Sequence, residues 1–221
     1  MRERRLFDTT ALFAALPAAI RDELRELAVE RAYDRGDVAF REGDPADSLF
    51  MIVEGRVAIT SISTDGRESV IAILESGALF GELGLFDDEP RSADARVLEP
   101  TRVVEVRYRD VRQALIAHPE SLWVITRILA QRLRATDEAL SDAVFLDVPA
   151  RTAKRLLALA GDQDRFHVAL TQEELAGLVG ASRERVNKAL STFVRLGWIE
   201  VTGRGNYHIV DRKALTLRAN P

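Results

Sequence analysis

An α+β fold is predicted for this chain of 221 residues: a short helical opening, an antiparallel β region, one long helix and a C-terminal winged helix-turn-helix. Three observations predict it. Gly36, Gly43, Gly55, Gly66 and Gly77 recur at intervals of 7 to 12 residues among brief apolar runs, the rhythm of an antiparallel barrel or sandwich whose tight turns need glycine. Apolar positions then repeat every 3 or 4 residues from Leu122 to Val144, the period of a helix. Last, two short helix patterns flank Gly180 and are followed by two strand-like runs, the grammar of a helix-turn-helix with a wing.

Each element follows in order. "TALFAALPAAIRDELRELA" is amphipathic and reads as helix. From about Arg35 to Val106 the strands are brief: "SLFMIVEGRVAITSIS" places Gly55 between two apolar runs, "TDGRESVIAIL" supplies an Asp-Gly turn, and "TRVVEVR" alternates. "YRDVRQALIAH" is a short helix stopped by Pro119. The periodic segment from Pro119 to Phe145, with Leu122, Ile125, Leu129, Leu133, Thr136, Leu140 and Val144 on one stripe, would form a rod of about 40 Å. Such a rod either packs on its own domain or pairs with a second copy, since its stripe would otherwise leave a contiguous apolar face exposed; a parallel homodimer seam is the expectation. "FLDVPAR" is a junction in which Pro149 can start the next helix, "ARTAKRLLALAG". The domains are therefore expected at 1–145 and 150–221, with a hinge at 146–149.

Composition excludes several classes of chemistry. With no cysteine, there is no disulfide, thiolate metal site, cysteine-ligated cluster or thiol nucleophile. His118, His167 and His208 are scattered without ligand spacing, and no Asp/Glu cluster suggests a divalent-metal cage. No apolar run approaches the ~18 residues of a membrane span, and the basic "MRERRLFD" is not followed by a signal-peptide core. A soluble cytoplasmic protein is expected. Residues 1–150 hold 19 Lys/Arg against 28 Asp/Glu, a balance of −9, whereas residues 151–221 hold 12 against 7, or +5. The basic half favours a nucleic-acid partner without proving one.

That half contains "LTQEELAGLVGASRERVNKALSTFVRLGWIEVTGRGNYHI". Thr171 and Glu174 form a capping box, Leu175, Leu178 and Val179 supply a buried face, Gly180 allows the turn, and Ser182 caps the second helix. Val186 and Leu190 point inward. Arg183 near the helix start can donate two hydrogen bonds to guanine, Glu184 can accept from a cytosine amine, and Lys188 can meet a purine edge or the backbone. The alternative is a surface helix solubilised by its charges. "GWIEV" and "NYHIV" around "TGRG" make a wing whose Arg204 could reach phosphate. The candidate DNA-facing set is Thr171, Gln172, Ser182, Arg183, Glu184, Arg185, Asn187, Lys188 and Arg204.

Taken together, "FGELGLF", "RSA", the long helix, "FLDV" and "LTQEELAGLVGASRERVNKAL" resemble the CRP/FNR family of transcription regulators, especially its cyclic-AMP receptor branch. The resemblance implies a cyclic-nucleotide-binding β roll, with Gly81, Glu82, Leu83, Arg91, Ser92 and Ala93 as the phosphate–ribose cassette. Arg91 can pair with a cyclic phosphate, Ser92 can donate its hydroxyl hydrogen, amides near Gly81 and Ala93 can add donors, and Glu82 can accept from a ribose hydroxyl. From the residues alone, Arg91 could equally be a structural salt bridge or a surface group. The "DDE" ahead of it should face outward, because inward carboxylates would repel a phosphate. Thr136 and Asp137 match the purine-contacting pair of the receptor branch. Asp137 departs from the usual uncharged side chain; it can accept from an adenine amine or cap a local polar network.

The resemblance further implies cyclic AMP as effector, binding to double-stranded DNA as a homodimer, and contact with RNA polymerase; paired recognition helices about 34 Å apart favour an inverted repeat. Ligand and DNA would then promote each other's binding by the same factor. The open alternatives are a ligand-independent or other-effector regulator and, in a different class, a cyclic-nucleotide-binding module that controls a partner protein. An enzyme is not expected, since Ser92, Glu82 and Arg91 have no general-base partner, metal or separate reaction cavity.

Overall fold

The computed structural model describes residues 2–62, 68–168, 170–203 and 205–220. These fall into two compact units, one comprising the chain up to Ile62 and Ile71–Leu133, the other Glu68–Val70 and the chain from Arg134 onward.

In the first unit a helix α1 (Arg2–Thr9) that was not expected comes first, and the segment expected as one opening helix is two, α2 (Ala11–Ala14) and α3 (Ala18–Leu27). Pro17 breaks it: proline cannot sit in a helix interior and pushes the preceding residue out of the helical region, so Pro17 becomes the N-cap of α3 at φ −55° and ψ 149°. The strands follow as β1 (Val29–Tyr33), β2 (Val38–Phe40), β3 (Ser48–Glu54), β4 (Val57–Ile62), β5 (Glu68–Leu74), β6 (Leu79–Phe80), β7 (Asp94–Val97) and β8 (Thr101–Arg107), with a one-turn helix α4 (Gly84–Asp87) between β6 and β7. Two four-stranded sheets result, ordered β1-β8-β3-β6 and β2-β7-β4-β5.

Strand β3 explains how the layers are held. Its odd positions Leu49, Met51 and Val53 pack with Phe7, Phe13 and Leu24 from the opening helices and with Val104 and Val106 of β8. Its even positions Phe50 and Ile52 pack with Phe80, Val97 and Val103 in a second cluster. A strand buried on both faces reads as an unbroken apolar run, as "LFMIV" does. Each such side chain contributes about 1.5–3 kcal/mol on burial. Gly36, Gly43, Gly55 and Gly77 all lie at positive φ, between 84° and 97°, while Gly66 and the Asp-Gly turn lie outside the described residues. At Gly55 a Cβ would also stand 2.7 Å from the Thr101 Cα.

Helix α5 (Tyr108–Ala117) and a 3₁₀ turn at Pro119–Ser121 lead to α6 (Leu122–Phe145), a helix of 24 residues. Ile125 and Leu129 join the core of the first unit, whereas Leu133, Leu140 and Val144 are exposed.

The second unit continues with α7 (Val148–Ala160), β9 (Arg165–His167), α8 (Gln172–Val179), α9 (Arg183–Arg195), β10 (Ile199–Val201), β11 (Asn206–Ile209) and α10 (Arg212–Ala219). Asp147 caps α7 by accepting from the Ala150 N–H at 2.9 Å, which makes Val148 its first residue and Pro149 its second. The box before α8 closes in both directions: Glu174 N–H donates to Thr171 Oγ1 at 3.1 Å and Thr171 N–H to Glu174 Oε2 at 2.6 Å. Gly180 ends α8 at φ 69°, and Ser182 Oγ caps α9. The wing has three antiparallel strands, ordered β10-β11-β9. Its outer strand β9, only three residues long, was not expected.

Candidate functional site

Two structural elements bring the residues of the expected cassette together. Strand β6 ends at Phe80, Gly81 reverses the chain at φ 71°, and Glu82 and Leu83 lead into α4, which a left-handed Asp88 terminates at φ 57°. The chain returns through Pro90 to Arg91, whose backbone is pinned from both sides: Arg91 N–H donates to the Asp44 carbonyl at 2.9 Å, and Gly43 N–H donates to the Arg91 carbonyl at 2.8 Å. Gly81, Glu82, Leu83, Arg91, Ser92 and Ala93 thereby line one pocket of about 70 Å³, together with Phe40, Ile59, Phe80, Gly84, Pro90 and Arg132. Asp87, Asp88 and Glu89 are exposed, as the sequence requires of them.

Arg91 is not a surface group. It is 6% exposed. Nη1 donates to the Gly81 carbonyl at 2.7 Å and to Tyr108 Oη at 3.1 Å, and Nη2 donates to the Ser48 carbonyl at 2.7 Å. Its Cζ lies 4.2 Å from the Phe40 ring centroid. All these acceptors are neutral, and among the described residues no carboxylate forms an ion pair with it, while Nε is buried without a hydrogen-bond partner. A buried cation whose hydrogen bonds all go to neutral groups, with the Glu82 carboxyl acting on it only through space, can still accept an anion as a direct partner.

Beside it Glu82 is 3% exposed and paired with Arg132, whose Nη2 also donates to the Leu79 carbonyl at 2.6 Å. Burial pushes the Glu82 carboxyl above its ordinary range; the charges of Arg132 and Arg91 and a backbone N–H pull it partway back. Sequence reasoning missed Arg132, Tyr108 and Ser48. Arg132 stands one helical turn before Thr136 on α6, a spacing that could have nominated it. Tyr108 and Ser48 reach Arg91 across 17 and 43 residues of chain, and no local motif announces them. Thr136 and Asp137 are exposed on the part of α6 that belongs to the second unit.

In that unit α9 presents its charges on one side. Val186, Ala189, Leu190 and Phe193 are buried, which leaves Arg183, Glu184, Arg185 and Lys188 exposed and Asn187 half-buried. Ser182 is exposed as well as capping. Thr171 and Gln172 are half-buried at the start of α8; the Thr171 hydroxyl oxygen is engaged in the capping box, and Gln172 Oε1 is buried without a partner. Arg204 lies outside the described residues.

Polar contacts fasten the end of α6 to α7. Lys154 Nζ reaches Glu138 at 2.6 Å and Asp142 at 2.8 Å. Arg151 donates to the Ala143 carbonyl and, from its other nitrogen, to the Gly180 carbonyl in the helix-turn-helix turn, both at 3.2 Å. Asp147 accepts from Arg218 at 2.6 Å. Burial would raise the Asp147 carboxyl, but the Ala150 N–H and Arg218 outweigh it and leave it below its usual value. Among the described residues no helix is long and apolar enough to cross a membrane, and no group of three metal-ligating side chains occurs.

Comparison with known proteins matches both halves. Residues 30–118 fit the cyclic nucleotide-binding domain and residues 150–218 the Crp-like helix-turn-helix domain. The chain is 42% identical over 194 residues to the CRP-like cAMP-activated global transcriptional regulator of Mycobacterium tuberculosis, covering 85% of this chain and 86% of that protein. Among solved structures, FixK2 from Bradyrhizobium japonicum superposes with a TM-score of 0.80 over 88% of this chain and 98% of its own, at 20% identity, a likeness of fold. The c-di-GMP responsive global regulator CLP of Xanthomonas campestris superposes at 0.76 with 28% identity, over 87% and 99% of the two chains. A nucleotide-binding β domain carrying a buried arginine, a long helix and a capped helix-turn-helix with a wing thus come in one order along one chain, and that chain belongs to the CRP/FNR family of transcription regulators.

Proposed function

We propose that this regulator answers to cyclic AMP and, as a cytoplasmic homodimer, binds an inverted-repeat operator where it contacts RNA polymerase. One observation carries the reading: a buried guanidinium, Arg91, with only neutral partners, lines the same pocket as the buried carboxylate Glu82. An anion bearing a hydroxyl group suits both, its charge answering Arg91 and its hydroxyl donating to Glu82 beside the Arg132 pair. Arg91 and Ser92 would hold the phosphate, Gly81, Leu83 and Ala93 would shape the cradle, and Glu82 would accept from the ribose. Thr136 and Asp137 would meet the purine. The name of the 42% identical relative supports cyclic AMP.

The exposed stripe of Leu133, Leu140 and Val144 supports a helix–helix seam between two copies. In this reading residues 1–145 form the ligand-binding and dimerisation domain, 150–221 the DNA-binding domain, and 146–149 the hinge. Thr171, Gln172, Ser182, Arg183, Glu184, Arg185, Asn187 and Lys188, with Arg204 in the wing, face DNA. Ligand and DNA then strengthen each other's binding equally.

The test is a titration of labelled inverted-repeat DNA with and without cyclic AMP at fixed salt, paired with Arg91→Ala. Cyclic AMP is expected to tighten binding by the wild type and not by the variant, whose far-ultraviolet spectrum stays native. Identical affinity with and without nucleotide would overturn it. CLP gives specific ground for a second reading, in which the effector is another cyclic nucleotide; a parallel arm with c-di-GMP in place of cyclic AMP separates the two.

A further inference from the structure

Two of the groups that hold the guanidinium of Arg91, Tyr108 and Ser48, do not line its pocket, and Tyr108 holds more than its share. Tyr108 opens α5, where its backbone N–H donates to the Asp47 carbonyl at 2.8 Å, and its side chain is 7% exposed. Its hydroxyl oxygen accepts from Arg91 Nη1 at 3.1 Å while its hydroxyl hydrogen goes to the Gly81 carbonyl. Arg91 Nη1 donates to that same carbonyl at 2.7 Å. The three groups close a triangle. Each makes the others' geometry more definite, and hydrogen bonds joined in this way polarise one another.

Rotation out of the guanidinium plane is limited by the Phe40 ring, 4.2 Å from Arg91 Cζ. Rotation within the plane is limited by the Tyr108 hydroxyl on one terminal nitrogen and the Ser48 carbonyl on the other. A side chain on Gly81 would be strained at φ 71°, and its Cβ, 2.7 Å from Arg91 Nη1, would push the guanidinium out of this arrangement. Burial raises the Tyr108 phenol above its ordinary value, against the pull of Arg91, so the hydroxyl hydrogen stays available.

We propose that Tyr108 is a positioning residue for anion recognition: it fixes the Arg91 guanidinium and the Gly81 carbonyl in one arrangement and touches no ligand itself. The inference rests on the reading that Arg91 receives the phosphate. Losing one hydrogen bond to a charged group corresponds to roughly a tenfold loss of affinity, and the loss should act through Arg91 alone.

The experiment is a double-mutant cycle on the full-length protein, with cyclic AMP affinity measured calorimetrically for the wild type, Tyr108→Phe, Arg91→Lys and the double variant. Tyr108→Phe is expected to weaken binding about tenfold with an unchanged melting temperature; in the Arg91→Lys background it should add less than threefold. Equal affinity of Tyr108→Phe and wild type, or additive losses, overturns the proposal. A second measurement needs no Tyr108 variant: nitrogen-15 spectra of arginine side chains in the wild type, with Arg91 assigned from Arg91→Lys. A slowly rotating Arg91 guanidinium supports the lock, and a freely rotating one overturns it. Failure of the wild type to bind cyclic AMP would sink the effector reading, while the spectra would still decide the role of Tyr108.

Discussion

Replacing Arg132 by methionine keeps an apolar stem along α6 and removes, together with the hydrogen bond to the Leu79 carbonyl, the counter-ion of a carboxylate that is 3% exposed. Breaking a fully buried pair from one side costs about 3–5 kcal/mol. The Arg132 side chain is 41% exposed, so water replaces part of its effect and about 1–2 kcal/mol is expected. For a chain of this length that is about 2–8 °C in melting temperature. The pH dependence carries the diagnosis. Glu82 already has its carboxyl raised by burial, and losing Arg132 raises it further. In the window between the unfolded value and the raised one, the folded protein binds more protons than the unfolded chain, so stability falls as pH rises through it. The variant should match the wild type most closely at acid pH, below the unfolded value, and fall progressively behind towards neutrality. Glu82→Gln combined with Arg132→Met should remove that slope. Melting curves from pH 4 to pH 8 check this; a deficit of the same size at both ends would mean that Arg132 acts by packing, and the electrostatic reasoning would be wrong.

Three further outcomes follow from the geometry. Asp147→Ala removes the cap of α7 and the Arg218 contact together and should cost about 1–2 kcal/mol; because that carboxyl is depressed in the folded protein, its contribution is complete above the unfolded value and disappears as pH falls through the folded one, visible as convergence of wild-type and variant melting temperatures in acid. Gly55→Ala should fail to fold, since φ is 97° and the new Cβ meets Thr101 backbone at 2.7 Å; a native melting curve would contradict the packing. Arg183→Ala should weaken cognate operator binding by about 1–3 kcal/mol and relax preference at one base pair, and equal losses on cognate and scrambled duplexes would demote it to a phosphate contact.

Much of the second unit was legible because its signals are local. Thr171 and Glu174, Gly180, and Ser182 each act within four residues, and the sequence order alone implies their bonds. The glycine rhythm was legible for the same reason, since positive φ is a property of one residue. What stayed hidden is non-local. Tyr108, Ser48 and Arg132 reach the pocket from remote strands and helices, and tertiary packing alone selects them. Strand β9 is three residues long and owes its existence to β11 rather than to its own pattern. The break at Pro17 was written in the sequence; the amphipathic stripe on either side of it argued for continuity, and the backbone constraint of proline prevailed.

The loop from Asp87 to Glu89 has a kinetic consequence. It runs between Gly84 and Pro90, both of which line the pocket, with Arg112 balancing only Asp88. Exposed carboxylates there repel a small anion that approaches near them, and dissolved electrolyte weakens that repulsion. The same electrolyte loosens a duplex from a basic surface by restoring its counterion atmosphere. Added salt thus bears on both anionic partners of this protein, relaxing the repulsion of the small one near this loop while easing the departure of the duplex.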